Sequence, residues 1–307
     1  MGGLIWRCGD LSLDCGQRTL VMGILNVTPD SFSDGGRYLD REAAIAHGIR
    51  MVDEGADIVD VGGESTRPGS DPVPAEQEAE RVLPVIEALA SKVPVPISID
   101  TRKASVAKAA LAAGATIVND VAAGADPDMF PVVREAGAGL VLMHMLGDPK
   151  TMQIEPRYDD VVAEVKAFLR GRLEVAELAG IEPDRLCVDP GIGFGKTLEH
   201  NLALLHHLDE LLELGRPLLV GPSRKRFIGT LLDLPETERL EGTAGAVAWC
   251  AAKGAHIVRV HDVLPIRRVL GVVDAIARSD AGSRSDAGSG PDAGPGPGTG
   301  TSSSFSA

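Results

Sequence analysis

The chain has 307 residues, of which 44% are apolar, 24% charged and 3% aromatic. This composition is typical of a globular protein with an aliphatic core, and the length suits one domain of about 250 residues plus a tail. The formal net charge of −14 argues against nucleic-acid binding, which relies on clustered Lys and Arg. We see neither an apolar run of the roughly 20 residues that a membrane helix needs nor a signal peptide, and we expect a cytoplasmic location.

Four cysteines occur without any C-x-x-C spacing: Cys8, Cys15, Cys187 and Cys250. A zinc site needs ligands clustered at short spacing. We therefore expect free thiols in a reducing compartment in preference to a metal site or a disulfide.

Alternation of strands and helices dominates the sequence. Residues 4–20 hold two short stretches around Cys8-Gly9-Asp10 and predict a hairpin, which we expect to plug the floor of a barrel. Eight apolar runs rich in β-branched residues then predict buried parallel strands. They lie at 21–25, 57–61, 96–99, 116–118, 139–143, 186–188, 217–220 and 256–260.

Stretches with helical spacing lie between these strands, such as 41–55, 75–90 and 161–180. Eight strand–helix units in an α/β chain favour a closed (β/α)8 TIM barrel over an open doubly wound sheet. A dinucleotide-binding fold would need G-x-G-x-x-G after the first strand, and that motif is missing there.

The C-terminal segment has a different composition. Residues 279–307 are mostly Gly, Ser, Pro, Asp and Ala, and such a segment buries too little apolar area to offset its ordering entropy. We therefore predict a catalytic barrel over 1–278 and a disordered tail over 279–307.

Polar residues follow all eight predicted strands, at the barrel end where active sites form. A helix N-cap explains one such residue, but eight together predict a polar mouth over an apolar barrel. They include Asn26, Asp100, Asn119, His144, Asp189, Lys225 and His261.

Several segments resemble, in order, the signatures of the dihydropteroate synthase family. They are GILNVTPDSFSDGG (23–36), GGESTRPG (62–69), SIDT (98–101), ND (119–120), DPGIGFGK (189–196), SRK (223–225) and RVHD (259–262). The resemblance spans about residues 20 to 270. It implies a transferase of folate biosynthesis that joins p-aminobenzoate to a dihydropterin diphosphate, is a target of sulfonamides, and is commonly a homodimer.

The resemblance also implies a pterin pocket deep in the barrel. The pterin presents a guanidine-like N–C–N edge, and a carboxylate accepts two parallel hydrogen bonds from such an edge, a role that falls to Asp189. Asp100 and Asn119 would meet other ring nitrogens, Lys225 the ring acceptors and Met143 the ring face. The positions matching this pocket are Asp100, Asn119, Met143, Asp189, Gly221 and Lys225.

Two further pockets follow from the same resemblance. The diphosphate would meet Arg67, Arg259 and His261, and Asn26 matches a position that meets Mg2+. Cations and N–H groups neutralise such a leaving group, and one protein oxygen plus substrate oxygens is typical of Mg2+. The p-aminobenzoate positions are Thr66, Pro68, Phe194 and Ser223, with Lys225 at their edge.

Loops 28–38 and 66–74 are rich in Gly, Pro, Ser and Asp, which suits lids that exclude water. The expected reaction is SN1-like and forms no covalent enzyme intermediate. Asp100 and Asp189 would stabilise the cation that develops as diphosphate leaves, and with Lys225 they are the expected catalytic residues.

Two alternatives remain open at this point. A methyltransferase barrel that binds a methylated folate would share the pterin carboxylates, but would not need the 23–36 loop, the SRK run and the RVHD ending together. An inactive paralogue would have lost a motif residue, and none is lost.

Overall fold

A computed structural model describes residues 4–27, 36–65, 70–147, 152 and 154–283, without the side chains of 36–40 and 278–283. Within it, strands β1 (Ile5–Cys8) and β2 (Leu11–Asp14) form the predicted antiparallel hairpin. The Trp6 side chain is fully buried, and its Nε1 donates to the Arg185 carbonyl at 2.9 Å.

Eight parallel strands form the body of the molecule. In chain order they are β3 (Leu20–Asn26), β4 (Ile58–Gly62), β5 (Ile97–Asp100), β6 (Ile117–Asp120), β7 (Gly139–Met143), β8 (Leu186–Asp189), β9 (Leu219–Val220) and β10 (Ile257–Val260). Their spatial order is β8-β7-β6-β5-β4-β3-β10-β9. The sheet closes because Val188 bridges to Leu218 and its N–H donates to the Pro217 carbonyl at 2.9 Å. The predicted barrel is confirmed.

Helices follow the strands and cover the barrel. They are α1 (Gly36–Asp53), α2 (Ala75–Ala90), α3 (Ala104–Ala112), α4 (Met129–Ala136), α5 (Val161–Leu178), α6 (Leu198–His206), α7 (Arg226–Leu232), α8 (Leu240–Ala252) and α9 (Val263–Ser283). Short 3-10 turns span Pro183–Arg185, Leu208–Leu214 and Glu236–Glu238. Among the helices within the described ranges, none combines the length and the apolar character of a membrane-spanning segment.

Two helix boundaries differ from the sequence reading. Helix α1 begins at Gly36, inside the predicted 28–38 loop, and α9 continues to Ser283, beyond the predicted domain end at 278. The remainder of the predicted tail, 284–307, lies outside the described residues.

Strand side chains alternate between two layers, as the two-residue period of a strand requires. One set packs outward against the helices in a large aliphatic core that includes Val21, Val59 and Val258. The inward set near the hairpin forms a second apolar cluster with Trp6. Its strand members are Leu20, Met22, Ile58, Ile117, Val141, Cys187, Leu219 and Ile257.

All four cysteines are buried and free. Burial raises the pKa of Cys15 and of Cys250 to about 12, so both remain neutral thiols near pH 7.

Candidate active site

Strand register brings the first predicted residues together at the mouth. Asn26 lies beside Gly62, Gly62 beside Asp100, and Asp100 beside Asn119 on neighbouring strands. A Cβ added at Gly62 would lie 3.8 Å from both Asn26 Oδ1 and Asp100 Oδ2. The side chains of Asn26 and Asp100 therefore border the same space.

Arg259 occupies the centre of this end of the barrel. Its Nη2 donates to Asp100 Oδ2 and its Nε donates to Asp60 Oδ2, both at 2.6 Å. Asn119 Nδ2 also donates to Asp60 Oδ2, at 3.1 Å. Arg259, which was predicted for the diphosphate pocket, therefore contacts Asp100, which was predicted for the pterin pocket.

Asp60 was not predicted from the sequence, because it lies inside a strand and in none of the segments that carry the family resemblance. The carboxylate is fully buried within β4. The available signal was a charged residue at an inward position of the otherwise apolar run IVDV. An unpaired buried carboxylate is costly, so such a residue needs a partner such as Arg259.

Two carboxylate oxygens here lack hydrogen-bond partners among the described residues: Asp60 Oδ1 and Asp100 Oδ1. Burial raises the pKa of Asp100 well above its ordinary value, although Arg259 works in the opposite direction. Buried acceptors without partners cost free energy. A ligand with N–H donors would remove that cost.

Asp189 ends β8, and its Oδ1 accepts a hydrogen bond from the Gly191 N–H at 2.7 Å. Burial raises the pKa of Asp189 to about 6, while this hydrogen bond and the charge of Lys225 act to lower it. Met143 lies beside Asp189 across the β7–β8 pair. The site thus holds a second carboxylate that is close to its titration point near neutral pH.

An apolar wall adjoins these acids. Met143 and Phe194 are buried together with Val121 and Met152. The Nζ of Lys225 lies 3.8 Å from the centroid of the Phe194 ring, a cation–π contact. Lys225 and Phe194, predicted for the pterin and p-aminobenzoate pockets, are therefore in direct contact.

The loop after β8 contains several glycines in the left-handed region, of which Gly191 is the most tightly enclosed. Gly191 has φ +67°, and a Cβ there would overlap the His144 carbonyl oxygen. The loop is also held by the buried Lys196, whose Nζ donates to the Phe194 carbonyl at 2.9 Å and lies 3.0 Å from His144 Nδ1. Burial lowers the pKa of Lys196 to about 7 and that of His144 to about 3. The sequence reading assigned no role to Lys196.

Residues after β9 and β10 complete the mouth. Ser223 Oγ lies 3.0 Å from His261 Nδ1 and accepts a hydrogen bond from the His261 N–H at 3.2 Å. A Cβ at Gly221 would lie 3.7 Å from the Cβ of Arg259. Ser223 and His261, predicted for different pockets, thus meet at one edge.

Three predicted site residues, Thr66, Arg67 and Pro68, lie outside the described residues. The same holds for residues 28–35 and 66–69 of the two predicted lids. Where side chains are described, no group of three His, Cys, Asp or Glu residues is arranged to hold a metal ion.

Known proteins share this fold and sequence. Residues 22–261 match the family model described as pterin binding enzyme. A dihydropteroate synthase of Synechocystis is 47% identical over 272 residues, which cover 88% of this chain and 94% of the relative. A Xanthomonas albilineans dihydropteroate synthase solved with 4-aminobenzoic acid matches with TM-score 0.85 and 48% identity, covering 90% of this chain and 98% of that one. A Yersinia pestis dihydropteroate synthase in a sulfonamide complex matches with TM-score 0.85 and 43% identity, covering 90% and 100%.

The barrel and its acidic, arginine-centred mouth therefore define a pterin-binding transferase. Within that class, the chain belongs to the dihydropteroate synthase family.

Proposed function

We propose that the mouth of this barrel joins p-aminobenzoate to 6-hydroxymethyl-7,8-dihydropterin diphosphate, giving 7,8-dihydropteroate and diphosphate in folate biosynthesis. The observation that carries the proposal is the buried Asp60–Arg259–Asp100 network beside Asp189, with carboxylate oxygens that lack partners among the described residues. A heterocycle with several N–H donors is the kind of ligand such a pocket favours.

Asp189 is the proposed partner of the guanidine-like edge of the pterin. Its Oδ1 is already bonded to the Gly191 N–H, and a carboxylate has about four lone-pair sites, so two hydrogen bonds to a ring edge remain available. Asp100 and Asn119 would meet other ring nitrogens. Met143 would cover one ring face, which its place in the apolar wall supports.

The p-aminobenzoate ring is proposed to lie against Phe194, with the Lys225 ammonium nearby. That ammonium lies over the Phe194 ring, so it can serve both the pterin acceptors and the edge of the benzoate site. Ser223 is the proposed hydroxyl of this site, together with Thr66 and Pro68. Sulfonamides, which mimic p-aminobenzoate, would compete for the same space.

Arg259, His261 and Arg67 are the proposed partners of the diphosphate. Asn26 would hold Mg2+, and its amide oxygen borders the space shared with Asp100. A single amide oxygen suits an ion that takes most of its ligands from diphosphate and water, as Mg2+ commonly does. An ion bound there supplies charge neutralisation to the leaving group.

The proposed reaction is SN1-like. The C–O bond breaks, its electron pair leaves with diphosphate, and positive charge develops on the exocyclic carbon and the ring. The carboxylates of Asp100 and Asp189 stabilise that charge in a site of low dielectric constant. The arylamine nitrogen then forms the C–N bond and loses one proton, without a covalent enzyme intermediate.

We also propose a homodimer formed through helices of the barrel. Gly245 in α8 and Gly271 in α9 lie inside helices, where glycine is unfavourable by about 1 kcal/mol relative to alanine. A Cβ at either position meets nothing within 4 Å in the chain. Trp249, Val272 and Ile276 are exposed on the same two helices. Sedimentation would measure the proposed dimer mass.

We also propose that the protein is located in the cytoplasm. Its buried, free thiols are consistent with a reducing compartment.

The test is diphosphate release from the dihydropterin substrate with and without p-aminobenzoate. We expect release only with the arylamine, matched one-to-one by dihydropteroate, and a fall of about 100-fold or more in Lys225→Ala. Glu177→Gln, at the C-terminal end of α5 in a partly exposed ion pair with Arg216, is the control. Diphosphate release at the same rate with and without p-aminobenzoate would contradict the proposal, and so would methyl transfer to a corrinoid protein.

A further inference from the structure

We propose that the ion pair between Arg224 and Asp262 is a positioning device that sets the locations of Lys225 and His261 for the reaction. This inference rests on the function proposed above for those two residues. Neither Arg224 nor Asp262 is itself proposed to touch a substrate.

The ion pair joins two loops of the mouth. Arg224 Nε donates to Asp262 Oδ2 at 3.0 Å, and its Nη2 donates to Asp262 Oδ1 at 2.6 Å. Arg224 follows β9, and Asp262 follows β10. A bidentate guanidinium–carboxylate pair fixes orientation as well as distance, so the two loops are held in one relative arrangement.

Arg224 also has an unfavourable backbone conformation. Its φ is +56°, in the left-handed region that side chains rarely adopt. Thr243 holds it there, because the Arg224 N–H donates to Thr243 Oγ1 at 3.0 Å and Thr243 is fully buried in α8. Arg239 Nη1 donates to the Arg224 carbonyl at 3.0 Å.

Such a conformation persists only where several contacts determine it, and it is frequent at functional sites. The residue that it immediately precedes is Lys225, which is the N-cap of α7 and places its Nζ over the Phe194 ring. The backbone turn at Arg224 therefore determines the direction in which Lys225 leaves the loop.

A second connection runs beside the first. Ser223 contacts His261, one residue before each member of the ion pair. Consecutive residues of one loop thus bind consecutive residues of the other, and both Lys225 and His261 are adjacent in sequence to the ion pair. Loss of the Arg224–Asp262 contact would remove one of these two neighbouring connections between the loops and leave the Ser223–His261 contact in place.

The chain contains a matched ion pair at the other end of β9. Arg216 Nη2 lies 2.7 Å from Glu177 Oε1, with side-chain exposures of 24% and 37%, against 32% and 24% for Arg224 and Asp262. Pairs this exposed contribute little to stability. A structural role predicts similar effects when either pair is broken, whereas a positioning role predicts a kinetic effect only at the mouth.

The experiment compares Asp262→Asn and Arg224→Lys with the control Glu177→Gln, using steady-state kinetics with both substrates and thermal unfolding. We expect kcat/KM for p-aminobenzoate to fall by about tenfold or more in both mouth variants, because misplacement of a reacting group by about 1 Å can cost 100-fold. The melting temperatures should match that of Glu177→Gln. Thr243→Val should lower kcat/KM by a similar factor. Thr243→Ser, which keeps the hydroxyl that accepts from the Arg224 N–H, should retain the original activity.

A double-variant comparison identifies the residue through which the pair acts. In a Lys225→Ala background, Asp262→Asn should lower turnover by a clearly smaller factor than in the original chain, since coupled residues are non-additive, and the part of the effect that persists is the part that acts through His261. Kinetic constants of Asp262→Asn equal to those of Glu177→Gln, or its full effect persisting without Lys225, would overturn the proposal. Near-normal turnover of Lys225→Ala alone would instead refute the role assigned to Lys225, and with it anything that positions it.

Discussion

The floor and the mouth of the barrel are built from the same strands, yet their inward side chains are opposite in character. On four strands the change takes two residues: Ile58 to Asp60, Ile117 to Asn119, Cys187 to Asp189, and Ile257 to Arg259. The first residue of each pair packs against the hairpin at the floor of the barrel.

The difference separates stability from chemistry. Apolar side chains at the floor gain free energy by leaving water, whereas buried charges at the mouth lose hydration and depend on one another. The raised pKa of Asp189, about 6, reflects that lost hydration. A ligand that supplied the missing hydrogen bonds would offset the free-energy cost of the buried charges at the mouth.

The largest expected effect of a mouth substitution is on turnover. Asp189→Ala should lower kcat about 100- to 1000-fold, as removal of one electrostatic stabiliser does in other enzymes. The fold should survive, and circular dichroism would check it. Near-normal turnover would show that the pterin lies elsewhere.

A substitution at the floor should lower stability and leave turnover almost unchanged. Trp6→Ala removes a fully buried indole and should cost about 3–5 kcal/mol of unfolding free energy, measured in urea. The kinetic constants of the folded fraction should remain within about twofold of the original. A fall in kcat as large as that of Asp189→Ala would remove the distinction between floor and mouth.

The mouth and the floor should also differ in how their substitutions change the pH dependence of stability. The folded pKa of Asp189, about 6, exceeds its ordinary value of 3.8, so the folded state binds the extra proton between about pH 4 and 6. Stability is therefore lost as pH rises through that range, by about 1.4 kcal/mol per pKa unit at most. Asp189→Asn should reduce the slope of the profile measured by urea unfolding, leaving the contributions of the other buried carboxylates with raised pKa values, Asp100 and Asp120, and Cys187→Ala should leave the slope unchanged.

The smallest expected effect concerns the metal. Asn26→Ala should raise the Mg2+ concentration for half-maximal turnover by about tenfold, since diphosphate oxygens would retain most of the coordination. Mg2+ titrations at saturating substrates would measure it. An unchanged requirement would remove Asn26 from the proposed metal site.

The sequence was sufficient to predict the barrel because each strand is a short apolar run ended by a polar residue. Asp100, Asn119 and Asp189 were found by that rule, and their strands place them at one end. The Arg259–Asp100 contact could not be predicted, since it crosses the barrel between strands that are not neighbours.

Other features depend on tertiary packing. Asp60 lies inside a strand, and Lys196 contacts His144 only because two loops meet above the barrel. The start of α1 at Gly36 was not predicted because the preceding segment is rich in Gly, Ser and Asp. Local propensity does not report such contacts.

Calorimetric binding of the dihydropterin to Asp189→Asn and to Cys187→Ala, two inward positions of the same strand, tests the central claim most directly. Hydrogen bonds to a charged group contribute about 1.5–3 kcal/mol each, so two should make the affinity of Asp189→Asn at least about 100-fold weaker. Cys187→Ala should bind within about twofold of the original protein. Equal affinity in both variants would contradict the assignment of the mouth as the pterin site.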